Sequence, residues 1–209
     1  MILALIIQQP KIFKPPKWEV YEMHYQSAGY THLFAAAKTV NRFFARYRFA
    51  RAFKGLELEG YSDETTSGYN ALTKVTLHWT AFEQLCRAIK ITDMRMIGQR
   101  HSYDECIKSI READPQNIFF RSVKFHITTP DQKIQLDAFI NNGTCSSLTL
   151  AKSIRHIFLH GPLTPNVNGC SPHAVSAICD ALCKSLVEIM DIEFANTVSD
   201  LEELLTPPS

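Results

Sequence analysis

Apolar residues recur every three or four positions along most of this chain, the signature of helices that each bury one face. A long run from Ser27 to Lys54 puts Leu33, Ala36, Ala37, Val40, Phe44, Tyr47 and Arg51 on one side and stops at Gly55. A second helix is predicted to start among Ser62, Asp63, Thr65 and Thr66, whose short oxygen-bearing side chains satisfy free N–H groups. Its stripe is Leu72, Val75, Trp79, Phe82, Leu85, Cys86 and Ile89, ending near Lys90. A third runs from about Ser147 to Leu159, with Leu148, Ala151, Ile154, Ile157 and Phe158 inward and Gly161-Pro162 as its stop. Ser171-Pro172 opens the last in the cap-then-proline order, with Ala174, Ile178, Ala181, Leu182, Leu186, Ile189 and Phe194 on its core side.

The rest of the chain is less periodic. Residues 1–26 read as an N-terminal extension, because Pro10, Pro15 and Pro16 interrupt any helix there. Met1–Ile7 is a short strand or an apolar strap. Residues 91–145 read as an insertion between bundle helices. Within it, Ser102 with Glu105 forms a capping box for a helix to Ala113. Val123, Phe125 and Ile127 alternate with Lys124, His126 and Thr128, which predicts a short strand, and Thr129-Pro130 begins a helix to Ile140. The expected fold is therefore all-α, a four-helix up-and-down bundle over residues 27–209 with a helical and short-strand insertion. A real sheet at 91–145 would make it α+β instead.

Composition sets limits on function. The chain has 209 residues, 45% of them apolar, which supports a core without disulfides or structural metal. Net charge is +1, so no global field selects nucleic acid or membrane and any charge argument is local. The six cysteines (Cys86, Cys106, Cys145, Cys170, Cys179, Cys183) include no C-x-x-C pair and read as scattered reduced thiols of a cytoplasmic protein. Met1–Ile7 is too short for a membrane span and lacks the basic start of a signal peptide. No phosphate-binding loop, dinucleotide fingerprint or nucleophile elbow is present.

The informative stretch is SIRHIFLHGPLTPN, Ser153 to Asn166. It gathers Arg155, His156 and His160 at the end of a helix. Here the chain resembles the HEPN superfamily (higher-eukaryote and prokaryote nucleotide-binding domains), four-helix bundles carrying an Arg, four to six intervening residues and a His. Arg155 and His160 match the shortest spacing, and His156 fills the often polar position after the Arg. The motif covers about seven residues and the helical layout residues 27–195, while the segment 91–145 departs from a compact HEPN bundle. The resemblance implies a homodimer and metal-independent cleavage of RNA, with no cofactor. His160 would act as acid or base, Arg155 would hold the phosphate, and His156 would orient substrate or act as the second acid or base. Arg155 and His160 stand about 140° apart on an ideal helix, so two chains meeting across a twofold axis would complete one cleft. The plainer reading is a histidine favouring the negative end of a helix and an arginine paired with an acidic neighbour.

Charge placement adds a second candidate. No Asp or Glu lies between Glu22 and Glu57, and Lys38, Arg42 and Arg46 form a basic stripe that can follow RNA phosphates, with Phe43 or Tyr47 to stack on a base. The alternative is an ordinary solvated face, or one paired with the acidic residues Glu188, Asp191, Glu193, Asp200, Glu202 and Glu203. Cys179 and Cys183 repeat the spacing of His156 and His160, which allows a two-His, two-Cys metal site. A non-enzymatic module with a protein partner is the remaining reading; Trp79, Phe119, Phe120 and the aromatics of the first helix would serve a dimer or partner surface there, although core packing is the commoner place for each.

Overall fold

The computed structural model describes residues 12–27 and 29–206, and these form an all-α protein. Its helices are α1 (Trp18–His24), α2 (Tyr30–Leu33), α3 (Ala37–Ala52), α4 (Asp63–Ala88), α5 (Met94–Arg100), α6 (Asp104–Ala113), α7 (Ile118–His126), α8 (Pro130–Ile140), α9 (Ser147–Leu159) and α10 (Pro172–Leu205). An isolated bridge between Val167 and Cys170 is the one β-type pairing among the described residues. The expectations for Met1–Ile7, Pro10 and residues 207–209 fall outside them. No helix among the described residues is long and apolar enough to cross a membrane.

Three of the long helices begin where local chemistry says they should. Ser62, Ser146 and Ser171 each accept a backbone N–H, from Thr65, Thr149 and Ala174, at 3.2 Å. Helices α3, α9 and α10 all pack on α4, and α9 also packs on α10. Trp79, Phe82, Leu72, Leu85, Ile154, Ile178, Leu182 and Leu186 fill the space between them. Trp79, Phe119 and Phe120 are core side chains, so they present no partner surface.

The run from Ser27 to Lys54 is not continuous. It breaks at Phe34–Ala36, where Phe34 is extended (φ −108°, ψ 151°) and Ala36 has ψ 142°. The cause is tertiary: the Ala35 N–H donates to the Ala88 carbonyl at 2.8 Å, satisfying the end of α4, while the Phe34 ring goes into the core. The true inward face of α3 is Val40, Phe43, Tyr47 and Ala50, and Arg51 is exposed.

Segment 91–145 forms four short helices, of which α5 had no sequence expectation. The expected strand at Val123–Ile127 is the last turn of α7 and the residue after it. Phe119, Phe120 and Val123 are buried at helical spacing and Phe125 is 81% exposed, so the apparent alternation is accidental. Asp114 holds the start of α7 by accepting the Phe119 N–H at 2.8 Å. The capping box is also replaced. Ser102 donates to Asp104 at 2.9 Å, and Glu105 turns across to Lys184 on α10 at 3.0 Å.

Part of the expected extension lies in the core. The Trp18 ring stacks on Phe44 at 3.9 Å and reaches Phe194 at 5.6 Å, and the Tyr21 hydroxyl meets that of Tyr30 at 3.0 Å. Lys17, left-handed at φ 60°, donates to Ser199 and Glu202 of α10 at 2.7 Å each.

Candidate functional site

Helix α9 carries the motif, and polar contacts fix how it is presented. Ser147 bonds Ser185 of α10 at 2.7 Å, and Ser153 accepts from Gln132 of α8 at 2.7 Å while donating to the Thr149 carbonyl at 2.8 Å. With Leu148, Leu150, Ala151, Ser153, Ile154 and Ile157 buried and Phe158 packed on the core, the other side chains of the last turns are left toward solvent. Lys152, Leu159 and His160 are exposed, and Arg155 and His156 are half-buried. The helix ends as His160 donates its N–H to the His156 carbonyl at 3.2 Å. Gly161 then turns the chain away at φ 94°, a conformation that favours glycine.

The structure brings the two imidazoles together. His156 and His160 lie edge to face, 4.6 Å between ring centroids and 65° between planes. Burial lowers the pKa of His156 most, and the nearby His160, Arg155 and Lys152 push it the same way. His156 is therefore predominantly neutral at pH 7, with a nitrogen lone pair able to accept a proton.

Arg155 is turned differently. One terminal nitrogen approaches the Glu83 carboxylate of α4 at 4.0 Å, and its Nε is buried without a hydrogen-bond partner. Glu83 and Arg155 are each about 30% exposed, so solvent reaches the pair. Sequence reasoning missed Glu83, since nothing local says that α4 meets α9 at that level.

A second polar centre, also missed, lies on α10. The Glu193 carboxylate is 4% exposed, accepts from Arg100 at 3.1 Å and meets His101 Nε2 at 2.9 Å. The nearby Tyr103 hydroxyl is buried without a partner, and burial, reinforced by Glu193, pushes its pKa up to about 12. A signal for this centre was present: Glu193 falls on the apolar stripe between Met190 and Phe194.

The basic stripe is exposed at Lys38, Arg42 and Arg46. None of the three forms an ion pair among the described residues. Of the acidic residues suggested for them, Asp191 meets the Tyr47 hydroxyl at 2.8 Å, Glu193 meets Arg100 and His101, Glu202 meets Lys17 and Glu188 lies by Lys184, while Asp200 and Glu203 pair with none of the three cations. Phe43 and Tyr47 are buried and unavailable for stacking; the outward aromatic on this helix is Phe49, 59% exposed. The metal alternative does not assemble: among the described residues no three His, Cys, Asp or Glu side chains come together as ligands, so His156, His160, Cys179 and Cys183 do not form one site. All six cysteines are free, and burial raises the thiol pKa of each, to about 11 for Cys145 and Cys170 and to about 12 for Cys86, Cys106 and Cys183. Cys179 is raised well above the ordinary thiol value. A thiolate nucleophile at neutral pH is thus disfavoured.

Comparison of the chain with protein-family models, with curated proteins and with solved structures returned no match.

Proposed function

We propose that this protein is a HEPN-like endoribonuclease that cleaves single-stranded RNA by acid–base chemistry at the end of α9, in a cleft completed by a second copy of the chain. The observation that carries the reading is the edge-to-face imidazole pair at the open end of α9, where burial and the neighbouring cations bias His156 toward its neutral form. His156 takes the proton of the ribose 2′-OH as that oxygen attacks phosphorus. His160 gives a proton to the departing 5′ oxygen, so the P–O5′ bond breaks as a cyclic 2′,3′-phosphate forms. Arg155 exchanges its loose contact with Glu83 for the phosphate and stabilises the charge that builds on its oxygens. This assigns the base to His156 and the acid to His160, sharper than the motif alone allows.

The test is cleavage of a labelled single-stranded RNA in excess chelator. His160→Ala and His156→Ala should each lower the rate by about 10²–10⁴-fold. Mixing Arg155→Ala with His160→Ala protein should restore part of the activity if clefts are shared between chains. Equal rates for wild type and both histidine variants would end the proposal.

One observation favours a second reading. The Arg155 guanidinium faces Glu83 of α4 and its Nε is buried, so the arginine sits between α9 and α4 as it would in a non-catalytic RNA- or protein-binding module. RNA or protein binding without cleavage, unaffected by the histidine variants, would support that module.

A further inference from the structure

Helix α3 buries Val40, Phe43, Tyr47 and Ala50, and the opposite face is open to solvent. At about 100° per residue, Lys38, Phe49 and Arg42 point within about 40° of one another on the side away from the core, with Arg46 a further ~40° round, at the flank of the buried face. Along the axis Lys38, Arg42 and Arg46 rise by ~6 Å per step. That is a slanting row of cations, with the Phe49 ring one turn beyond Arg46 and back over the Lys38 and Arg42 side of the helix. Beside Phe49 lies an open hollow of about 310 Å³, lined by Phe13, Ala45, Arg48, Phe49 and Ala52. Arg48 rests over the Phe44 ring at 5.4 Å, which holds its guanidinium at the edge of this hollow. Among the described residues no carboxylate pairs with Lys38, Arg42, Arg46 or Arg48.

A solvated helix face ordinarily mixes both signs of charge, and a lone exposed ring is common, but seldom beside a row of unpaired cations and a hollow. This one has a single sign and an exposed phenyl ring. We propose that the outer face of α3 is a binding site for single-stranded RNA, separate from the α9 site: Lys38, Arg42 and Arg46 follow the phosphates, and one unpaired base stacks on Phe49 over the hollow. The ring makes the difference between strand types. A duplex keeps its bases stacked inside and offers only phosphates, whereas a single strand turns a base face outward. A lipid surface would use the cations but gains nothing from a hollow beside one ring. This site does not rest on cleavage at α9, and its tests read binding alone.

The experiment measures binding of fluorescein-labelled oligouridylate to the full chain by anisotropy, alongside a duplex RNA of equal length and vesicles containing phosphatidylserine. His156→Ala/His160→Ala protein serves as the background, so that cleavage does not intrude. The single strand should bind more tightly than the duplex. Phe49→Ala should weaken single-strand binding about tenfold and leave duplex binding unchanged. Arg42→Gln/Arg46→Gln should weaken both and, for the single strand, make the slope of log K against log salt less steep by about 1.4. Circular dichroism confirms folding, since all three side chains are exposed. Equal affinity for all variants, duplex binding as tight as single-strand binding, or binding to vesicles alone would each overturn the site.

Discussion

The molecule holds two histidine clusters built on opposite terms. His101 is enclosed beside the Glu193 carboxylate, with Arg100 on the other oxygen, so the buried charge is paired on both sides. His156 and His160 meet one another at the open end of α9, and neither ring has a carboxylate partner among the described residues. The first arrangement pairs both carboxylate oxygens and ties residues 100–101 to α10, leaving only the nearby Tyr103 hydroxyl without a partner among the described residues. The second leaves ring nitrogens free to meet something arriving from solvent.

This contrast breaks if the two clusters respond alike to mutation. The largest effect expected is on cleavage: His156→Ala or His160→Ala removes about 10²–10⁴-fold of rate while shifting unfolding free energy by no more than about 0.5 kcal/mol. Parallel kinetics and urea melts separate the two quantities. Glu193→Ala should do the reverse, costing about 3 kcal/mol of stability because it strands His101 and Arg100. Arg100 is half exposed, so Glu193→Gln, which keeps an acceptor oxygen, should cost clearly less. If Glu193→Ala melts like wild type, the inner cluster is not structural.

Gly68→Ala sharpens the comparison from a third position. A Cβ there would stand 2.3 Å from the Pro165 Cβ, in the loop that leads away from His160. A loss of about 1–3 kcal/mol is expected, together with reduced cleavage as the loop shifts. Unchanged stability would mean that the loop yields freely.

Acidity gives a smaller, graded test. His78 is 3% exposed, and burial, only partly offset by its bond to the Lys74 carbonyl at 2.8 Å, lowers its pKa. Lys74 and Arg51 push the same way, and Asp180 opposes them. Below its ordinary value of about 6.5 the unfolded chain takes up a proton that the folded chain resists. The stability associated with His78 is therefore full above that pH and declines as pH falls through 6.5 toward the folded value. His78→Gln should flatten the Tm profile between pH 7 and 5, and an equally steep profile in the variant would assign the loss to other groups. The smallest effect belongs to Glu83→Gln. Stability should change by less than about 0.5 kcal/mol, since the pair is loose and wet, while cleavage rises modestly because Arg155 loses a competitor for phosphate.

What could be read from the sequence follows from the range of the forces involved. Ser62, Ser146 and Ser171 act on N–H groups three residues away, so the starts of α4, α9 and α10 were legible. The break at Phe34–Ala36 was not, because it is imposed by a carbonyl at Ala88. Helix α7 misled because its nine residues give too few turns for a 3.6-residue period to stand out against a chance alternation at Val123, Phe125 and Ile127. At the site, the pairing of His156 with His160 is an i,i+4 relation and was legible. The approach of Glu83 to Arg155 joins two helices far apart in sequence, and no local pattern encodes it.

The seat of Trp18 between Phe44 and Phe194 has a consequence for biosynthesis. A ribosome releases α1 and α3 long before α10 emerges, so the indole and its neighbours have only half of their nest for most of translation. During that interval α3 has α4 to pack on but the Trp18, Phe34 and Phe43 rings lack the Phe194 ring that closes over them, and a nascent chain halted before Pro172 should be captured by chaperones and cut by proteases far more readily than one released whole.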